Sequence, residues 1–391
     1  MRNSVWLLAA GLLLVGYGTN ISTPLLVIYR EELGLGDSAT MAIFTVYVLG
    51  IVSTLPFAGP ASDRFGRRNV FLPFVILSAL ASLVIMAGQS SFALILLGRF
   101  LLGVVSGAAL GVGAAWMQEL MGPGNEQRAA LLTTIVTYFG FGIGPPISAL
   151  FDAADINPLT WPYLLHVAFT ALAAPFLWRL RETVDVDDPS VRARPIRPRL
   201  GIPPAARPVF WMIVVPSAIW VFAFPSTSFA LFPVIVAEQV PDADVAIAAA
   251  SGALTAWSAL LARPIVGRLG ASSALPVGMV MGVVGYILGT AAFATGNAWW
   301  VLPAAIMLGA SSGTLISSAL AILGERAEPS QRGTINSTVF LLAYPGMVTP
   351  ILLTTAGQWV DLTTALVAVT LVGGGATLWS VVARQRLALV G

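Results

Sequence analysis

The sequence predicts an all-α membrane protein with twelve transmembrane helices, which form two six-helix bundles related by an internal repeat. Of its 391 residues, 57% are hydrophobic and only 10% are charged, whereas a soluble domain carries about 25% charged residues. Apolar runs long enough to cross a bilayer recur along the chain, and the second half repeats residues of the first. Because a helix satisfies its own backbone groups, lipid is a suitable solvent for such a chain.

Twelve apolar runs, bounded by charges or by Gly, Pro and Asn clusters, predict the transmembrane helices. They are residues 4–28, 38–58, 69–88, 91–116, 128–150, 160–178, 209–236, 244–266, 273–295, 298–323, 334–357 and 362–383. The first run is expected to be an uncleaved helix, because its apolar character continues to Ile28 without a small-residue cleavage pattern. Segment 179–208 is rich in charge and proline, so it predicts a cytoplasmic linker between bundles 1–178 and 209–391.

The arginine residues predict the orientation of the chain in the membrane. With both termini in the cytoplasm, eighteen of the twenty arginines lie in cytoplasmic loops or at cytoplasmic helix ends, while Arg30 lies outside and Arg99 within a span. No lysine occurs, a usage compatible with a GC-rich bacterial genome. We therefore expect a monomeric, multi-pass protein of a bacterial cytoplasmic membrane, in contact with membrane lipids. The basic residues follow no single polar face, so no nucleic-acid partner is expected.

The internal repeat is visible in paired residues at equivalent helix ends. Segment 59–66 matches segment 263–270 at an offset of 204, and so do Arg128 with Arg332 and Pro146 with Pro350. At an offset of 206, Gly103, Gly107 and Glu119 recur as Gly309, Gly313 and Glu325. Parallel repeats of this kind place the substrate path at their interface near the membrane midplane, which implies a transporter.

The loop between the second and third predicted helices carries the most specific motif. It comprises Gly59, Asp63, Arg64, Gly66, Arg67 and Arg68 in the order G-P-A-S-D-R-F-G-R-R. Asp63 offers a carboxylate to the positive end of a facing helix. This loop resembles the signature loop of the major facilitator superfamily, G-x-x-x-D-R-x-G-R-R/K, and implies that family's fold. The resemblance also implies a conformational latch whose partner is the start of helix 11, near Thr334 and Ser337.

Arg99 is the strongly charged residue well inside a span, where a charge is costly and usually faces a bundle interior or a wet cavity. Segment 98–103 resembles the helix-4 motif of the superfamily, with Leu102 where glutamine is common, and implies substrate or proton handling. The alternative is a fixed partner for polar groups of helix 1, such as Tyr17 or Asn20. Further residues expected to line the cavity are aromatic: Tyr17, Tyr47, Tyr138, Trp220, Phe224, Trp257 and Tyr344.

Two further motifs resemble elements of the superfamily. Gly140, Gly144 and Pro145, in the run G-F-G-I-G-P-P, resemble the helix-5 motif of drug antiporters, in which small residues permit close packing. Glu325 and Arg332 fit an E-x₆-R element, with Glu119 and Arg128 as the counterpart. They suggest an inner salt-bridge network, although ordinary exposed ion pairs explain them almost equally well.

A proton-driven exporter usually needs a titratable carboxylate inside the membrane, and none of the eighteen acidic residues lies deep in a predicted span. Asn20 stands where related facilitators often place an acid. If protons are coupled, the candidates are Asp152, Glu119 and then His166, although His166 fits a packed histidine better.

Together these features favour a secondary transporter that works by alternating access and exports amphipathic or lipophilic small molecules, with proton antiport as one coupling mode. The alternative is a uniporter or importer of a neutral nutrient such as a sugar. No nucleophile–base pair or metal cluster is apparent in the sequence, so we expect no enzyme activity. The chain has no cysteine and one histidine, so neither a cofactor nor a metal is expected.

Overall fold

The computed structural model describes residues 2–198, 200–328 and 331–390. Arg199, within the predicted linker, and the terminal residues Met1 and Gly391 lie outside the described residues. Across the described ranges the chain is helical and contains no strand. The predicted all-α fold class is confirmed.

Twelve helices coincide with the twelve predicted apolar runs in the part of the chain that the structure describes. They are α1 Arg2–Asn20, α2 Asp37–Phe65, α3 Arg67–Ala87, α4 Phe92–Met121, α5 Glu126–Ala153, α6 Trp161–Leu177, α7 Pro204–Gln239, α8 Asp244–Leu269, α9 Ala271–Thr295, α10 Ala298–Gly324, α11 Arg332–Ala356 and α12 Leu362–Val390. Ten of them are long and apolar enough to cross a membrane, and α6 is a shorter apolar helix.

The first predicted span is interrupted, which the apolar pattern does not reveal. Helix α1 ends at Asn20, residues 21–25 form turns, and a short helix follows at Leu26–Glu32. Pro24 explains the interruption, because proline has no backbone N–H and disfavours helical conformation in the residue before it. The break leaves backbone carbonyls of α1 without helical partners, and other helices must supply donors.

The chain divides into two compact units. The first comprises Met1–Leu35 and Ala42–Pro198, and the second comprises Gly36–Met41 and Arg199–Gly391. Residues 179–198 of the predicted linker therefore group with the first unit. The boundaries proposed from the sequence, 1–178 and 209–391, remain a prediction.

The internal repeat has a counterpart in the packing of each unit. A Cβ atom on Gly103 of α4 would overlap a backbone carbonyl oxygen of α2, and one on Gly309 of α10 would overlap a carbonyl oxygen of α8. The same holds one turn later, where Gly107 approaches α2 and Gly313 approaches α8. Corresponding glycines thus permit the same close helix pair in both units, as small residues do in membrane bundles.

The core of the first unit lies between α1, α3, α4 and α6. Phe71 and Trp116 are fully buried there, with ring centroids 5.8 Å apart and edge-to-face geometry. The Trp116 Nε1–H donates to the backbone carbonyl of Arg181, at 3.1 Å. This bond fixes the chain that follows α6 against the end of α4.

Candidate functional site

Arg99 is buried where the broken end of α1 meets α2. It is only 2% exposed, and its Nη1 donates to the Thr19 carbonyl oxygen at 2.8 Å and to Ser22 Oγ at 3.1 Å. Its Nε donates to the carbonyl oxygen of Ile43 at 3.1 Å, and its Nη2 lies 3.5 Å from that of Phe44. The guanidinium thus supplies a donor to the Thr19 carbonyl at the C-terminal end of α1, where a positive charge is favourable, and further donors to two carbonyl groups of α2.

All of these partners of Arg99 are neutral. The guanidinium also lies over two aromatic rings, with its Cζ 5.1 Å from the centroid of Tyr47 and 5.8 Å from that of Phe44. No carboxylate forms an ion pair with it among the described residues. The two residues expected beside it, Asn20 and Tyr17, donate hydrogen bonds to the carbonyl oxygens of Phe141 and Pro162 instead.

Asn20, the last residue of α1, forms a hydrogen bond with α5. Its Nδ2 donates to the carbonyl oxygen of Phe141 at 3.0 Å. In a regular helix that carbonyl would accept the N–H of the residue four positions later, but here that residue is Pro145, which has none. The proline of the helix-5 motif therefore frees a partly buried acceptor, and Asn20 donates to it.

Helices α1 and α5 approach closely at the glycines of the helix-5 motif. A Cβ atom on Gly140 would lie 2.7 Å from the carbonyl oxygen of Leu13, and one on Gly144 would lie 2.8 Å from that of Tyr17. One turn after Gly144, Ser148 Oγ donates to the carbonyl oxygen of Ile21 at 2.9 Å, within the break of α1. Helix α5 continues unbroken through Pro145 to Ala153.

A second polar cluster joins α1, α3 and α6. His166, which is fully buried, has its Nδ1 2.9 Å from the hydroxyl of Ser82, and its ring packs edge-to-face on Tyr17 with centroids 5.4 Å apart. Tyr17 donates its hydroxyl to the carbonyl oxygen of Pro162 at 2.9 Å. A Cβ on Gly18 would overlap the imidazole. His166 is thus tightly packed, and its role in proton relay or in packing alone stays a prediction.

The signature loop surrounds Arg67 with acceptors. Arg67 donates to both carboxylate oxygens of Glu119, with Nη2 2.7 Å from Oε1, and its Nη1 lies 2.8 Å from Asp63 Oδ1 and 2.6 Å from Ser62 Oγ. The Arg67 side chain is 9% exposed, while those of Asp63 and Glu119 are 22% and 34% exposed. Arg67 thus ties the end of α2 and the end of α4 to the start of α3.

Glu182, which belongs to none of the sequence motifs, caps the N-terminus of α3. Its two carboxylate oxygens accept the backbone N–H groups of Arg67 and Arg68, each at 2.9 Å. Gly66 precedes α3 with a φ of 95°, and a Cβ there would lie 2.5 Å from Glu182 Oε2. The only signal in the sequence was an acidic residue soon after a predicted helix, and many such residues have no partner.

The segment that carries Glu182 also contacts the rest of the loop. The hydroxyl of Thr183 donates to Glu119, and Arg194 Nη1 lies 3.3 Å from the carbonyl oxygen of Asp63. Further along, Asp188 caps the short helix Pro189–Arg192. Its hydrogen bonds with Ser190 lower the pKa of Asp188 below the usual value.

The remaining charged candidates lie apart from one another. Glu119 pairs with Arg67 and not with Arg128, which is exposed and forms no ion pair among the described residues. Glu325 lies 3.8 Å from its neighbour Arg326, while Arg332 is exposed at the start of α11. The pairing expected from the E-x₆-R spacing is therefore not the pairing that the structure contains. Asp152 lies at the last turn of α5 and is partly exposed.

Three aromatic candidates of the second unit, Trp220, Phe224 and Tyr344, are packed against neighbouring side chains. Phe224 is fully buried on Gly282 of α9, and Trp220 is 5% exposed with its ring 5.1 Å from that of Phe224. Tyr344 stacks on Phe222 with centroids 4.6 Å apart. In the first unit, Tyr47 contacts Arg99, while Tyr138 is partly buried beside Phe141. Trp257 is 37% exposed.

Helix α7 departs from regular α-helical geometry next to this aromatic group. It contains π-helical turns at Phe210–Val214 and Thr227–Leu231. Beside the second turn, the hydroxyls of Thr227 and Tyr286 lie 3.0 Å apart, and Tyr286 donates to the carbonyl oxygen of Ala223 at 3.1 Å. Such turns are rare in helices and are frequent at functional sites.

Comparison with known proteins identifies the family. The family model described as the Major Facilitator Superfamily matches residues 8–350. The chain belongs to this superfamily. It is therefore a multi-pass membrane transporter of small molecules and not an enzyme.

Three similar proteins illustrate the range of the superfamily. The tetracycline resistance protein, class G, of Vibrio anguillarum is 28% identical over 92% of this chain and 93% of that protein. The D-xylose transporter of Levilactobacillus brevis is 25% identical over 44% of this chain and 34% of that protein. Among solved structures, a POT family transporter in complex with 5-aminolevulinic acid has a TM-score of 0.77 at 12% identity, covering 97% of this chain and 94% of that one. The last comparison concerns the fold alone.

Proposed function

We propose that this superfamily member is an efflux transporter, which exports amphipathic or lipophilic small molecules by alternating access. The observation that carries the proposal is the junction of α1 and α5, where Gly140, Gly144 and Pro145 act together with Asn20. In the sequence, the same run of residues resembles the helix-5 motif of drug antiporters. Similarity to a tetracycline resistance protein over 92% of the chain supports the same class of cargo.

The proposal extends to the setting of the protein. It places a monomer in a bacterial cytoplasmic membrane, with both termini in the cytoplasm and with lipid around its apolar helices. It also assigns the signature loop, from Gly59 to Arg68, the role of a conformational latch in the transport cycle. Asp63 keeps its predicted role in a latch with the start of α11.

Proton antiport is the coupling mode to be tested within this proposal. Glu119 is held by Arg67, and His166 is packed against Ser82 and Tyr17. Asp152, which is partly exposed at the end of α5, is thus the candidate least constrained by neighbouring side chains. An Asp152→Asn variant that still responds to a pH gradient would remove this assignment.

The experiment uses the full chain in proteoliposomes, with tetracycline and a neutral amphipathic dye as probes and an imposed pH gradient. We expect outward movement of at least one probe, lost in Gly144→Val because its new side chain would separate α5 from α1. The matched control is Gly111→Val in α4, where an added Cβ meets nothing within 4 Å. Transport that ignores the pH gradient would exclude antiport, and no movement of either probe would count against the proposal.

A second candidate function is import or uniport of a neutral nutrient. The partial similarity to a D-xylose transporter favours it. The test is counterflow of D-xylose in the same proteoliposomes, without any gradient of protons. Counterflow of the sugar together with immobile amphipathic probes would replace efflux with this function.

A further inference from the structure

Every carboxylate of the chain lies near the end of a helix or outside the helices. The structure describes all eighteen acidic residues, and each is in a connecting segment or within two residues of a helix end. The closest approaches to a helix interior are Asp63 in α2 and Glu119 in α4, and both are held by Arg67. The apolar interior therefore offers no acid to neutralise a cation.

The same interior holds one fixed positive charge. Arg99 lies seven residues after the start of α4, which corresponds to about 10 Å along the helix. Because an arginine is not deprotonated in proteins, the charge persists through the transport cycle. Its carbonyl, hydroxyl and ring partners stabilise the cation without cancelling it.

The second unit adds no compensating charge. At the position that corresponds to Arg99 by the offset of 206, it has Ala305, which is fully buried. The charged residues described in α7 to α12 lie within two turns of the helix ends. Among the described residues, Arg99 thus sets the fixed charge of the helix interiors, and His166 is the further basic side chain that is buried there.

We infer that the cargo carries no net positive charge, and that affinity falls in the order anionic, neutral, cationic for amphiphiles of the same shape. This inference rests on the proposed function, whose cargo class it narrows. For a cargo whose charge lies about 10 Å from the guanidinium, at an effective dielectric constant of about 20, the interaction changes affinity about tenfold. Arg99 acts on the cargo through its long-range electrostatic field and not by direct contact, because its donors are already engaged and its side chain is buried.

The test is equilibrium binding to the purified full chain with three fluorescent probes that share one ring system. They are anthracene-9-carboxylate, the corresponding carboxamide and an anthracenylmethyl trimethylammonium salt. We expect the carboxylate to bind at least tenfold more tightly than the ammonium probe. Equal or tighter binding of the ammonium probe would overturn the inference, and failure of all three to bind would overturn the proposed function as well.

Variants test whether Arg99 causes the preference for the anionic over the cationic probe. We expect Arg99→Lys to keep it and Arg99→Gln to reduce it to threefold or less, and Arg384→Gln, an exposed arginine near the end of α12, to leave it unchanged. If Arg99→Gln does not fold, Ser22→Asp places a carboxylate on the Arg99 guanidinium and should reduce the preference in the same way. An undiminished preference in both folded variants would refute the role of Arg99.

Flux separates this inference from the proposed function. Anionic preference combined with inward movement would overturn export and leave the charge order standing. Cationic preference combined with outward movement would overturn the charge order and leave export standing.

Discussion

The Asn20 side chain donates to the carbonyl oxygen of Phe141, the acceptor that Pro145 leaves free in α5. A break in one helix and a proline in another are thus joined by a single hydrogen bond. Both partners belong to the first unit, in which Gly140 and Gly144 also bring the two helices into backbone contact. The relationship gives the proline of the helix-5 motif a physical role, because it leaves free the carbonyl through which α5 binds Asn20 of α1.

This relationship predicts a measurable coupling between Asn20 and Pro145. Asn20→Ala leaves the Phe141 carbonyl without a donor and should reduce the free energy of unfolding by about 1–2 kcal/mol. In a Pro145→Ala background, the new backbone N–H occupies that carbonyl, so the same substitution should cost less. A double-mutant cycle measured by unfolding in detergent checks this, and strictly additive effects would contradict it.

The cap formed by Glu182 should stabilise the inner end of the first unit. Glu182→Ala removes the acceptor of the Arg67 and Arg68 N–H groups, and we expect a loss of about 1–2 kcal/mol in unfolding free energy. Trypsin should then cleave faster within residues 179–198. The matched control, Asp242→Ala in an exposed loop, should change neither quantity. Unchanged cleavage in the Glu182 variant would argue against the cap.

The ion pair between Arg67 and Glu119 should be stronger than a surface pair of similar length. The Arg67–Glu119 bond is 2.7 Å long with one side chain 9% exposed, while the Arg192–Asp187 bond is 2.8 Å long with side chains 65% and 87% exposed. Double-mutant cycles should give a coupling of about 1 kcal/mol for the first pair, and about 0.3 kcal/mol or less for the second. Equal coupling would show that burial adds nothing here.

Replacement of Arg67 by lysine should not restore this pair. A guanidinium bonds both oxygens of Glu119 while it also reaches Asp63 and Ser62, whereas an ammonium group lacks the planar fork. We expect Arg67→Lys to lower the midpoint of thermal unfolding nearly as much as Arg67→Ala. Arg384→Lys, at an exposed position, is the control and should leave the midpoint unchanged. A wild-type midpoint in Arg67→Lys would mean that charge alone suffices.

The sequence by itself determined the class of the molecule, since bilayer thickness sets the length of an apolar helix and composition excludes a soluble core. Twelve predicted runs became twelve helices in the described ranges, and the paired glycines of the repeat occupy equivalent contacts. The sequence also indicated Arg99 and the signature loop as candidate sites, because a charge within a span and an acid among spaced glycines are each unusual.

Only the tertiary structure decided which groups meet. The carbonyl partners of Arg99, the capping role of Glu182 and the pairing of Glu119 with Arg67 all join residues more than fifty positions apart. The counterpart of the E-x₆-R element suggested Arg128, across the loop that follows α4, as the partner of Glu119. Packing of the end of α4 beside the start of α3 brings Arg67 to Glu119 instead. Hydropathy follows from local composition and can therefore be read from the sequence, whereas hydrogen-bond partners depend on how separate helices pack and are decided only in the tertiary structure.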